Sequence, residues 1–205
     1  MKRGIDAVGA LVAMVVLAPV MAIAAITVRA RLGSPVVFRQ TRAGHHGHPF
    51  TLYKFRTMRV PQPGEDGPAY DRVRLTRLGR VLRATSLDEL PSLWNVLKGD
   101  MSIVGPRPLP LSYLGRYTPE QARRLTVLPG LTGWAVVHGR NLLTWDERLG
   151  LDCWYVDHHC LTLDMRIIGK TVAMVCRRTG VNHADGITMT EFAGTTIASP
   201  EAESS

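Results

Sequence analysis

At 205 residues the chain has room for one domain with a sizeable core and a short appendage. Its formal charge of +8 and pI near 9.9 point to an anionic partner: nucleic acid, an acidic membrane surface or a phosphorylated substrate. Aromatic residues make up only 6% and the arginines are dispersed, which argues against a stacking platform for single-stranded nucleic acid. Cys153, Cys160 and Cys176 form no C-x-x-C pair, so the chain is no disulfide scaffold and a reducing compartment is the simplest setting.

Ile5 to Val28 is one long apolar run, interrupted by Asp6 and Pro19. Three readings compete. Lys2-Arg3 and Ala22-Ile23-Ala24 resemble a secretory signal with its cleavage site. About 20 apolar residues also suffice for an ordinary transmembrane helix. The third reading is a helix that enters the bilayer, breaks near Pro19 and returns to the same face. Lys2 and Arg3 precede the run and Arg29 and Arg31 follow it, so both flanks are basic. That symmetry suits a hairpin with two cytoplasmic ends better than a span, and a mid-run proline bends a helix.

From Pro35 the apolar period changes to two. Val36–Phe38 and Phe50–Arg56 read as short strands around a Gly44–Gly47 turn. Lys54 and Arg56 share one side of the second strand, as a solvated face or as a phosphate-facing pair. His45, His46 and His48, like Cys153, His158, His159 and Cys160, lack a zinc-finger spacing and carry no metal expectation. Residues 60–70, with three prolines and two glycines, read as an exposed loop. Leu75 to Arg83 resumes helical spacing.

The segment Thr85–Leu109, TSLDELPSLWNVLKGDMSIVGPRPL, concentrates the chemistry. Ser86 and Glu89 spell a capping box, Pro91 fits a first turn, and Leu90, Leu93, Trp94 and Leu97 recur at helical spacing up to Lys98-Gly99. Asp88 and Glu89 therefore stand at a helix N-terminus, where acids commonly do no more than complement the dipole. Their neighbours favour a larger role. Arg77, Arg80 and Arg83 precede them on one helical face, and Pro106-Arg107-Pro108 follows, with Arg107 held on a stiff backbone. Carboxylates between cations would repel phosphate unless a divalent cation intervened, and magnesium takes one or two carboxylates plus substrate phosphates. Adjacent side chains diverge by roughly 100° on a helix, so one acid can attack while the other holds the metal. Arg83 can hold a phosphate bidentately or make a surface ion pair of little worth.

Beyond Arg107, Thr118-Pro119-Glu120 starts a helix, Leu128 to Gly133 is rich in turns, and Trp145–His159 and Leu161–Arg178 read as two further helices. Leu163, Ile167, Ile168, Val172 and Val175 lie near one face of the last, as core or as a membrane-facing stripe. After Gly180 periodicity ends, and a disordered tail is expected.

The segment SLDELPSLWNVLKGDMSIVGPRPL resembles the signature of the bacterial sugar transferases, the monotopic phosphoglycosyl transferases. The resemblance extends over Lys2-Arg3, Phe38-Arg39-Gln40, Tyr53–Met58, Pro129–Trp134, Gly139-Arg140-Asn141, Asp152 and Tyr155, ending near Arg178. It implies an α+β, mainly helical fold: a re-entrant helix-break-helix over 1–31 bent at Pro19, a compact cytoplasmic domain over 32–180 with a short β-hairpin, and a tail over 181–205. It also implies transfer of a sugar-1-phosphate from a UDP-sugar to a polyprenyl (undecaprenyl) phosphate, with UMP released, at the cytoplasmic face of the bacterial plasma membrane. On this resemblance Asp88 is the nucleophile and Glu89 holds Mg2+ with Asp88. Lys54, Arg56, Arg83, Arg107 with its flanking Pro106 and Pro108, Arg140 and Asp152 bind substrate, Arg140 facing donor phosphates or pairing with Asp152. The family generally has Gln and Asn or Ser where this chain has Val136 and His138, which bears on sugar specificity more than on reaction type. The competing reading from another class is a membrane-anchored basic adapter without catalysis. It explains the charge but not an acid pair set between arginines.

Overall fold

The structure is a computed structural model that describes residues 2–65, 70–139, 142–177 and 191–194. Its N-terminal element is one long helix, α1 (Lys2–Leu32), followed by an antiparallel hairpin of β1 (Val37–Ala43) and β2 (Pro49–Phe55). Next come α2 (Arg77–Ala84), a 3-10 turn over Leu87–Ser92 that runs straight into α3 (Leu93–Lys98), and β3 (Ser102–Val104). β4 (Gly130–Thr132) pairs parallel to β3, and α4 (Trp145–His158) and α5 (Leu161–Arg177) close the domain. The α+β, mainly helical class with a short hairpin is as expected from the sequence.

Helix α1 lies on the domain by one face. Asp6, Ala10, Ala24 and Val28 are buried, while Val8, Val12, Val15, Val16, Ile23 and Ile26 on the other faces are each more than half exposed. Ala10 packs with Leu52, Leu93 and Val96, and Ala24 and Val28 pack with Phe55 and Leu82. α1 thus joins two core clusters. Its polar residues tie down the N-terminal end. Arg3 donates to the carbonyls of Val96 (2.5 Å) and Leu97 (2.6 Å) at the C-terminal end of α3. Asp6 accepts from Ser102 Oγ at 2.8 Å and Ile103 N at 3.1 Å, and Lys2 reaches Asp164 at 2.5 Å. Tyr155 donates to the same Asp164 at 2.6 Å and to the Val104 carbonyl at 3.2 Å.

Where the sequence suggested helix-break-helix, a single helix passes through Pro19. A proline removes one backbone N–H, and here the helical pattern of inward residues continues on both sides of it. α1 is long and apolar enough, by length and composition alone, to cross a membrane.

The short β3–β4 pair was not foreseen. It forms because Gly130 lets two backbones touch: a Cβ there would lie 2.1 Å from Gly105 N. In α5, Leu163 and Ile167 are buried beside Tyr155 whereas Val172 is largely exposed, so the apolar stripe divides between core and surface. Within the stretch expected to be a tail, residues 191–194 are placed, and Phe192 is buried against Tyr113 and Leu149. The Phe192 amide donates to Tyr113 Oη at 3.1 Å, and Arg116 pairs with Glu191 at 2.8 Å.

Candidate active site

The acid pair sits on the 3-10 turn, which β2 holds from below. Ser92 Oγ donates to the Tyr53 carbonyl at 2.7 Å. The fully buried Asn95 donates to the Thr51 carbonyl at 2.7 Å and accepts from Tyr53 N at 3.2 Å. These bonds fix the turn against the strand that carries Lys54. Ser86 leads into the turn with φ +56°, in the left-handed region, and its side chain does not cap it. The capping box expected from the sequence is therefore not formed. Glu89 instead turns into a cationic clamp, its Oε1 2.7 Å from Lys54 Nζ and 2.6 Å from Arg107 Nη2. Strain at Ser86 of this kind costs of order 1–3 kcal/mol and needs surrounding structure to hold it.

Arg107 is fixed from behind. Pro106 and Pro108 are buried, and the Pro106 carbonyl accepts from Gly130 N at 2.8 Å. The Arg107 carbonyl accepts from Arg124 Nη2 at 2.6 Å, and Arg124 also donates to Asp152 Oδ2 at 2.7 Å from Nη2 and 3.1 Å from Nε. Arg124 and Asp152 are almost wholly enclosed. Asp152 thus positions the Arg107 loop through Arg124, a correction to its expected place among substrate-binding side chains. Arg140, its other suggested partner, lies outside the described residues.

Asp88 has a different environment from its neighbour. It is 7% exposed, and none of the described residues donates a hydrogen bond to its carboxylate. Burial and the Glu89 charge push its pKa up to about 6, against the pull of Lys54, Arg83 and Arg107. Glu89 is held well below the usual range, since Arg107 and Lys54 outweigh its burial. The two acids titrate as a coupled pair, and the pair holds one charge firmly on Glu89. Burial lowers the Lys54 ammonium while Glu89 supports it.

Arg83 reaches the site along α2. A Cβ at Gly79 would fall 1.9 Å from the Thr57 carbonyl, so glycine lets this helix seat directly on the chain after β2. Arg83 Nε then donates to Thr57 Oγ1 at 3.2 Å, with its charge felt at Asp88. Arg56, in contrast, turns away from Glu89. It donates to the carbonyls of Leu32, Gly33 (2.9 Å) and Ser34 (3.0 Å), where α1 ends. Its expected phosphate-facing role is corrected to a tether between α1 and the hairpin, because α1's unpaired terminal carbonyls attract it.

Two further arginines escaped the sequence reading. Burial and repulsion from Arg107 lower both Arg42 and Arg148 to about 10, still charged at neutral pH. Arg42 Nε is buried without a hydrogen-bond partner among the described residues. Arg42 bonds Gln40 at 2.6 Å, and Arg148 lies over the Trp145 ring at 5.3 Å. Lys54, Arg83 and Arg107 thus act on Asp88, and Lys54, Arg107 and Arg42 on Glu89, leaving an excess of positive charge that a phosphate-bearing ligand can neutralise, while Arg148 faces Arg107 and Asp152.

The donor set fits one divalent cation completed by a substrate. Asp88 is unbonded among the described residues, and Glu89 Oε2 takes only a 3.5 Å contact from Arg107. No group of three or more His, Cys, Asp or Glu side chains that could hold an ion exists among the described residues. Magnesium tolerates so few protein ligands when phosphates supply the rest.

A buried acid pair among cations, on a domain bearing an apolar helix, points to phosphoryl chemistry beside a membrane. Residues 1–178 match the family model described as bacterial sugar transferase. The chain is 50% identical over 167 residues to the uncharacterized sugar transferase EpsL of Bacillus subtilis, covering 82% of this chain and 83% of that one. It is 40% identical over 181 residues to the UDP-glucose:undecaprenyl-phosphate glucose-1-phosphate transferase of Caulobacter vibrioides, with 83% and 68% covered. With the undecaprenyl-phosphate galactose phosphotransferase of Salmonella typhimurium it shares 38% over 197 residues, 88% of this chain and 41% of that longer one. The chain belongs to the bacterial sugar transferase family, and it is an enzyme of the phosphoglycosyl transferase class.

Proposed function

We propose that this enzyme moves a sugar-1-phosphate from a UDP-sugar to a polyprenyl phosphate such as undecaprenyl phosphate, releasing UMP, at the cytoplasmic face of the plasma membrane. The observation that carries the reading is the asymmetry of the acid pair. Glu89 is locked between Lys54 and Arg107, while Asp88 is left without a donor and faces the same cations. An ion-paired carboxylate is a poor nucleophile, and a desolvated one with no hydrogen bonds is a good one.

In the first step Asp88 attacks the donor's β-phosphorus. An acyl-phosphate bond forms, the bond to the bridging oxygen breaks, and UMP leaves with the electron pair. The acceptor phosphate then attacks the same phosphorus and expels the Asp88 carboxylate, giving polyprenyl-diphosphate-sugar. Arg83, Arg107, Arg42 and Lys54 hold the phosphate oxygens and offset charge in both transition states. Mg2+ held by Glu89 and Asp88 would add further charge neutralisation and polarise the phosphate. Part of that neutralisation already comes from Lys54 and Arg107.

The outward apolar face of α1, a single helix through Pro19, supports anchoring in the membrane. That arrangement holds the acids at headgroup height, where an acceptor phosphate lies. A panel of UDP-sugars screened for UMP release by the purified chain tests the reaction. Release in the absence of lipid, abolished by Asp88→Asn, agrees with it. Indifference to every UDP-sugar, with salt-sensitive binding to nucleic acid instead, would favour the adapter reading.

A further inference from the structure

Phe192 lies beyond residues 1–178, the part of the chain that matches the family model, yet its side chain is buried in the domain. Its ring meets three others, with centroids 5.6 Å away for Tyr113, 5.8 Å for Tyr117 and 5.4 Å for Trp145. Each of those rings carries a guanidinium. Arg116 lies over Tyr113 at 5.4 Å, Arg124 over Tyr117 at 5.7 Å and Arg148 over Trp145 at 5.3 Å. We propose that Phe192 is a positioning residue of the active site: by backing Tyr117 and Trp145 it seats Arg124 and Arg148, and so places Arg107. The inference rests on the reading of the site as one that binds phosphate.

The route from Phe192 to Arg107 is continuous in space. Arg124 donates to Tyr117 Oη at 3.3 Å and to the Arg107 carbonyl at 2.6 Å. A second route passes through Trp145 to Arg148, whose charge acts on Arg107. Three guanidiniums set close together repel one another, so each needs a fixed seat if they are to meet a ligand in register. An aromatic face supplies such a seat by attracting the cation, provided the ring itself cannot turn. Phe192 removes that freedom by filling the space between the rings.

The segment is also fastened in a way that simple shelter of an apolar side chain does not require. The Phe192 amide donates to Tyr113 Oη at 3.1 Å, and its carbonyl accepts from Arg116. Arg116 pairs with Glu191 at 2.8 Å as well, and Gly194 follows with φ +103°, in the left-handed region. Both backbone groups of Phe192 are thus bonded, and its ring has one position. Arg116 is the clasp.

The test measures binding of inorganic pyrophosphate to the full chain in detergent with magnesium, by calorimetry. Phe192→Ala should weaken it on the order of tenfold, the scale on which a displaced charged side chain loses its ligand. Phe192→Leu, which refills most of the space, should recover most of the affinity. Arg116→Met leaves the three rings in place but removes the clasp, and should weaken binding in the same direction. It keeps the proposal open to refutation should Phe192→Ala fail to fold. Ile167→Ala, a packing loss in the separate cluster beside Tyr155, should leave pyrophosphate affinity unchanged. Combining Phe192→Ala with Arg148→Met should cost less than the product of the two single losses, because they share one route. Unchanged affinity in Phe192→Ala, an equal loss in Ile167→Ala, or simple multiplication in the double variant would overturn the proposal. Pyrophosphate binding that responds as stated in a protein that releases no UMP would contradict the reaction and uphold the role of Phe192. An unmodified protein that binds no pyrophosphate would overturn both.

Discussion

Lys54 Nζ and Glu89 Oε1 stand 2.7 Å apart, joining the hairpin to the turn that bears both acids. The pair is only partly exposed, and Arg107 reaches the same oxygen from the opposite side of the sequence signature. Removing Lys54 therefore leaves Glu89 with one cation and Asp88 with a less compensated neighbour. Lys54→Met should lower kcat/KM for the UDP-sugar by on the order of 100-fold, the scale of one lost charge-stabilising donor. Steady-state UMP release measures it. Lys54→Arg should recover part of the loss.

The environment of Asp88 predicts its titration. In magnesium-free protein its side-chain carboxyl, followed by 13C NMR, should titrate near pH 6. Burial is the larger cause and the Glu89 charge the second, so Glu89→Gln should bring the midpoint down. The corresponding stability effect has a definite sign. A folded-state value raised above the usual 3.8 means the native state binds the proton more tightly. Stability then falls as pH rises from about 4 to about 6 and stays lower above that. Asp88→Asn should accordingly raise Tm at pH 8 while it abolishes turnover, a gain of roughly 1–3 kcal/mol.

The Arg124–Asp152 pair predicts loss of fold and of site together. Asp152→Asn leaves a buried guanidinium without its counter-charge, at a cost of roughly 3–5 kcal/mol. Denaturation in detergent should show that loss. A double replacement of Arg124 and Asp152 by leucine should recover much of the stability but not the activity, because the Arg107 carbonyl would still lack its donor.

Phe192 offers a prediction on a segment that the sequence left without structure. Its ring is buried among Tyr113, Tyr117 and Trp145. Phe192→Ala should cost up to about 3 kcal/mol if the segment stays docked, less if it detaches. Trp145 fluorescence should shift in either case, since its contact with Phe192, at 5.4 Å between ring centroids, is lost.

How legible the protein was depends on the range of each interaction. Runs such as Leu161–Arg177 and Arg77–Ala84 announced themselves because their apolar spacing and caps are local. Asp88, Glu89, Lys54, Arg83 and Arg107 were singled out in the sequence, and the structure brings them together. Arg124, Arg42 and Arg148 were not, because their value comes from partners far along the chain: Arg124 meets Asp152 28 residues away. β3 and β4, of three residues each, are too short for any periodic signal. Ser86 shows the reverse failure. The capping-box spelling was present, but two cations compete for Glu89 and win over the local bond. The same holds for Arg56, drawn to the end of α1 by carbonyls that no alternation pattern reveals.

The most direct test of the account is to mix the purified enzyme with its UDP-sugar, without lipid, quench, and weigh the peptide that contains Asp88. The account predicts one equivalent of UMP in solution and a phosphosugar mass on Asp88, which disappears when polyprenyl phosphate is added. UMP formed only in the presence of lipid, with that peptide never gaining mass, would contradict it.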